Sequence, residues 1–151
     1  MERDLERTTF LAMRRLPLLV LLATPTAAWE FTPGLPCLLT HAEPGLEVEL
    51  SHDPTQPLYS ITLRRGEPWP DAPVFSIAFE NGPVISTPLH ALTEDGRALS
   101  VADRGFGNVI SGLIAGGTAV AQVGEVTVPF SLSGAAEPTR DYAACVPPVG
   151  A

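Results

Sequence analysis

The chain has 151 residues, 45 % of them hydrophobic, which suits one domain with a packed core. Its net charge is −8 and its nine basic residues are all Arg, which argues against a basic surface for nucleic acid or an anionic membrane. Thirteen Gly and sixteen Pro are too few for a disordered chain but predict many turns and few long helices.

The beginning reads as an export signal. Arg14 and Arg15 precede the apolar run Leu16–Ala23, and small residues end the segment at Ala27 and Ala28. Cleavage is expected after Ala28, so residues 1–28 form the leader and residues 29–151 a single β domain starting at Trp29. Met13 is an alternative start, because the residues before it are unlike an ordinary charged leader. The apolar run falls well short of the roughly 20 residues that a membrane span needs, and none that long follows. Trp29, not Cys, stands directly after Ala28, so a lipid anchor is not expected. The expected location is periplasmic or secreted.

Cys37 and Cys145 are the two cysteines, one near each end of the mature chain. In an oxidising compartment they are expected to form one disulfide. No C-x-x-C spacing exists to lower a thiol pKa and support redox chemistry.

Alternation then sets out the strands in order. Leu46, Val48 and Leu50 share one face, with Glu47 and Glu49 opposite. Tyr59, Ile61 and Leu63 alternate with Ser60, Thr62 and Arg64, and Phe75, Ile77 and Phe79 with Ser76, Ala78 and Glu80. Asn81-Gly82-Pro83 predicts a turn into an extended run from Val84 to Thr87. Glu94-Asp95-Gly96-Arg97 predicts another, between Leu92 and Ala98–Val101. Gly124-Glu125 joins Thr118–Val123 to Val126–Leu132 as a hairpin, where Pro129 marks an edge or a bulge. Two short helices are predicted. One runs from Val109 to Ala115, capped by Asn108 and ended by Gly116; the other runs from Pro138 to Cys145. The sum is an all-β fold, an antiparallel β-sandwich or partly open barrel with two short helices.

Trp29-Glu30-Phe31-Thr32-Pro33-Gly34-Leu35-Pro36-Cys37 and Asp103-Arg104-Gly105-Phe106-Gly107-Asn108 resemble small secreted proteins of Rhodobacter-like alphaproteobacteria. Such proteins are sometimes labelled as the helicase component of an excinuclease. That label implies a nucleotide loop of the G-x-x-x-x-G-K-[ST] type, and this sequence has neither that loop nor any Lys. Phe130-Ser131-Leu132-Ser133-Gly134-Ala135-Ala136 resembles the end of the invasion-associated locus B family. That resemblance implies a periplasmic or surface β protein.

Four kinds of site are weighed. His41, Glu43, His52, Asp53 and His90 are metal-ligand types, but no two His stand at i,i+4 or as H-x-H, so turn or surface roles are expected for them. No G-x-S-x-G elbow surrounds any Ser; Ser111 falls inside the first predicted helix. Gly105-Phe106-Gly107 precedes that helix as a phosphate loop would, yet Ile110 replaces the third glycine, which favours a structural turn. The remaining candidate is an interaction surface. Arg64, Arg65 and Trp69 lie in a proline-stiffened stretch of the residue types that dominate binding hot spots, and Arg104 and Phe106 extend it. For Trp69 itself the expected role is a plug at one end of the sandwich. No cofactor is expected.

These readings point to an exported, non-enzymatic domain that binds a protein or envelope component. The alternative is a small periplasmic hydrolase or metal-handling protein built on the His and Asp/Glu residues.

Overall fold

The computed structural model describes residues 28–145. The expected leader, apart from Ala28, lies outside them, as do residues 146–151. The elements in chain order are β1 (Glu30–Thr32), β2 (Cys37–Glu43), β3 (Leu46–Asp53), β4 (Leu58–Arg65), β5 (Phe75–Phe79), β6 (Val84–Thr87), β7 (His90–Thr93), β8 (Ala98–Asp103), α1 (Gly107–Ala115), β9 (Thr118–Val123), β10 (Val126–Ser131) and α2 (Ala136–Ala143). They form two antiparallel sheets that do not close on each other. One runs β1-β2-β3-β4-β8-β7 and the other β10-β9-β5-β6. The expected all-β fold, an antiparallel sandwich or partly open barrel with two short helices, is the fold found.

Period-2 burial makes the core. Leu46, Val48 and Leu50 of β3, Ile61 and Leu63 of β4, and Leu99 and Val101 of β8 face inward from the larger sheet. Phe75, Ile77 and Phe79 of β5, Ala119, Ala121 and Val123 of β9, and Phe130 of β10 face them. Burying each large apolar side chain contributes roughly 1.5–3 kcal/mol before the cost of ordering it. The turns fall where they were expected. Val123 pairs with Val126 around Gly124-Glu125, and Thr93 pairs with Ala98 around the Glu94–Arg97 turn. Pro129 lies on an edge strand, where its missing N–H leaves no ladder bond unmade.

Two strands escape the alternation test. In β2, Cys37, Leu39 and His41 point inward, but Leu38 is also apolar and His41 is polar, so the pattern is blurred. β1 has three residues, too few to show a period.

Both helices differ at their ends from the expectation. α1 begins at Gly107 with Phe106 at the cap position, and no side chain caps it, so Asn108 is inside the helix. Phe106 is buried, with its ring centroid 5.6 Å from that of Tyr59. Burial of that ring outweighs the roughly 1 kcal/mol typical of a side-chain cap. α2 begins at Ala136 and ends at Ala143, so Cys145 lies beyond it. There Cys145 forms the expected disulfide with Cys37, the Cα atoms 6.5 Å apart. Gly112, inside α1, is dictated by packing. A Cβ at this position would stand 2.3 Å from the Phe79 ring, so only glycine lets α1 lie on the β5–β6 turn.

A side-chain network stitches β10 to the larger sheet. The Trp29 indole N–H donates to the Ser131 carbonyl at 3.0 Å, and the Ser131 N–H donates to the Glu43 carboxylate at 3.2 Å. Glu43 also meets His41 Nε2 at 2.8 Å, and the His41 ring stacks on Trp29 with centroids 4.6 Å apart.

Candidate functional site: a half-open cleft between the sheets

The three histidines all lie in strands of the larger sheet, and each has its own partner. His41 contacts Glu43 and Trp29. His52 stacks on Tyr59 at 3.9 Å, with Tyr142 edge-on at 6.2 Å. His90 lies beside Phe75, centroids 6.3 Å apart. Among the described residues no group of three His, Cys, Asp or Glu side chains is placed to hold a metal ion. Burial lowers the His52 pKa below its ordinary value, with the nearby Asp53 charge opposing the shift. Hydrogen bonds from Thr55 hold the Asp53 carboxyl below its ordinary range. The Tyr142 phenol is pushed well up by burial and by the neighbouring Tyr59. Its hydroxyl has no hydrogen-bond partner among the described residues.

The residues expected to share an interaction surface are divided between the two ends of β4. Arg64 and Arg65 end that strand, whereas its start, at Tyr59, pairs with Asp103, the neighbour of Arg104. Trp69 is 3 % exposed and is therefore a plug and no surface hot spot. Its indole N–H donates to the Leu63 carbonyl at 3.1 Å, and the Arg65 guanidinium lies 5.0 Å from its ring centre. Arg64 pairs with Glu94 at 3.2 Å and Arg65 with Glu67 at 3.2 Å. Phe106 is also buried, whereas Arg104 is exposed. Ser111 is exposed on α1, and Gly105 is part of a loop whose Arg104 N–H donates to Asp103.

That loop instead borders a cleft. Where the sheets part, Ile61, Phe75, Ile77, Ile85, Val101, Phe106 and Val109 are the apolar lining of a space of about 250 Å³. Ser86, Thr87, Asp103 and Asn108 supply its polar groups. β7 pairs with β8 only between Ala98 and Val101, so Asp103 projects beyond it. β6 forms one wall, α1 and the loop before it the other. Of the residues singled out from sequence, Gly105, Phe106 and Asn108 line this cleft and Arg104 adjoins it. Its floor comes from rows that alternation had placed in the core. A hollow with an apolar floor and several polar groups is suited to holding a ligand, and its described lining contains no His.

Comparisons with protein families, with curated proteins and with solved structures find no match to this chain. Among the described residues no helix is long and apolar enough to cross a membrane.

Proposed function

We propose that this chain is an exported, non-enzymatic domain that binds a protein or envelope component in the cleft between its sheets. The cleft carries the reading: an apolar floor with a polar rim and, among the described residues, no His in its lining. The leader-like residues 1–28 and the Cys37–Cys145 disulfide support a periplasmic or secreted location, because such bonds persist in oxidising compartments. The resemblance to secreted alphaproteobacterial proteins and to the invasion-associated locus B family supports the same reading. Nothing in the arrangement of His41, His52 and His90 favours a hydrolase or a metal carrier.

The test is the mass of the protein recovered from the periplasmic extract of its host, native and denatured without reductant, beside Ile85→Trp. Ile85 is half-buried on β6, and a Trp at this position fills the cleft. The expected denatured mass starts at Trp29 and lacks the two hydrogens of a disulfide. The expected native mass includes a companion that the variant loses. A reduced, full-length, unaccompanied chain, or a companion retained by Ile85→Trp, overturns the reading.

A further inference from the structure

We propose that the cleft receives an extended protein segment, which adds to β6 as a further strand and places alternate apolar side chains between the sheets, with a basic side chain meeting Asp103. This rests on the binding reading above and names its partner class.

The backbone of β6 carries the argument. The Phe79 N–H donates to the Pro83 carbonyl, and β6 pairs with β5 in the register Ile77↔Ile85 and Phe75↔Thr87. Hydrogen-bonded pairs alternate along an antiparallel ladder. Ile85 and Thr87 therefore use their backbone groups on β5, and Val84 and Ser86 turn theirs outward. The other side of β5 agrees. The Glu80 N–H donates to the Thr118 carbonyl, so Ala78 and Ser76 face β9. Among the described residues β6 ends its sheet, so the outward groups of Val84 and Ser86 form an open pairing edge.

Three further features converge there. Ile85 and Thr87 face the cleft, so a strand laid beside β6 would direct every second side chain into the same space. Val84 is 69 % exposed and Leu89 75 %, and Val74 is also exposed just before Phe75, which pairs with Thr87. Apolar side chains thus border both ends of the edge. Among the described residues Asp103 is the one charged side chain lining the cleft, on a chain of net charge −8. That balance selects a basic partner and disfavours a second copy of this chain. Main-chain pairing with alternate side chains in pockets is an established way for a sheet edge to take a peptide.

The probe is a short capped peptide of alternating Val and Thr with one Arg. It is compared with a twin N-methylated at alternate amides and with a Gln-for-Arg version. Ser86→Pro removes an outward N–H that takes no part in the β5–β6 ladder, so the fold tolerates it. Wild type is expected to bind the peptide, with binding weakened about tenfold by N-methylation or by Ser86→Pro. Asp103→Asn is expected to weaken the Arg peptide about threefold and leave the Gln version unchanged. Both variants should keep the wild-type melting temperature, and wild type should take up Nile red, a neutral probe of the cleft. Equal binding of the N-methylated twin, or no effect of Ser86→Pro, overturns the inference. So does a wild-type dimer that Ser86→Pro makes monomeric, since the edge then belongs to a second copy. Dye uptake without peptide binding sinks this inference alone, whereas failure of both sinks the cleft reading as well.

Discussion

The smaller sheet has two edges, and they are treated differently. At β10 the edge strand carries Pro129, and Ser131 is held from both sides by Trp29 and Glu43. Nearby, α2 packs against β1 and β2, and the disulfide ties Cys145 to Cys37. At β6 no described strand pairs with the outward backbone groups of Val84 and Ser86, the flanking Val84 and Leu89 are exposed, and the space inside is a cleft. Folded proteins ordinarily blunt a sheet edge because it pairs with other chains. One edge is blunted and the other left open beside a cleft, and the recognition proposed for β6 rests on that contrast.

The largest test of that contrast is the disulfide. Replacing Cys37 and Cys145 by Ser removes a link between residues 108 apart, and unfolding free energy should fall by about 4–5 kcal/mol. Urea titration with and without reductant checks this, since reduced wild type should match the variant. Trp29→Ala strikes the stitched edge directly and should cost about 3–5 kcal/mol, as truncation of a buried aromatic does. Val84→Ala at the open edge should stay within about 0.5 kcal/mol. Equal losses at the two positions would break the contrast.

Gly112→Ala forces a methyl group into the Phe79 ring beside the β5–β6 turn and should cost about 1–3 kcal/mol in thermal unfolding. The loss should be accompanied by weaker Nile red uptake, because α1 and β5 both line the cleft. The smallest expected effect is on pH dependence. The folded pKa of His52 lies below its ordinary 6.5, so the fold favours the neutral ring. Its contribution is complete above pH 6.5 and is lost as pH falls below that value. His52→Gln should flatten the stability profile in that range. Asp53, whose folded pKa lies below 3.8, adds a loss only in stronger acid.

Much of the fold was legible because alternation is a local property. Phe75, Ile77 and Phe79 read as a buried row whatever lies opposite them, and Gly124-Glu125 reads as a hairpin without knowledge of its neighbours. β2 was illegible because its inner row includes His41, whose polar ring is accommodated by Trp29 and Glu43 from elsewhere in the chain. The helix boundaries moved because tertiary contacts outweighed local capping: Phe106 was drawn onto Tyr59, and Cys145 left the helix for Cys37. Trp69 shows the limit for sites. A Trp flanked by Arg and Pro has the composition of a hot spot, and only packing reveals that its indole N–H is committed to Leu63.

The sequence by itself determined that this chain builds β strands with one buried face, turns at Asp-Gly and Gly-Glu, two short helices and a pair of cysteines 108 residues apart. Those features depend on neighbours within a few residues. Tertiary structure alone decided the strand order, and with it that β10 is stitched and β6 open. It also decided that Ile61, Phe75, Val101 and Phe106, from four separate segments, surround one cleft. An edge is defined by the strand missing beside it, and a cleft by surfaces that do not meet; neither leaves a mark in the periodicity of a single segment.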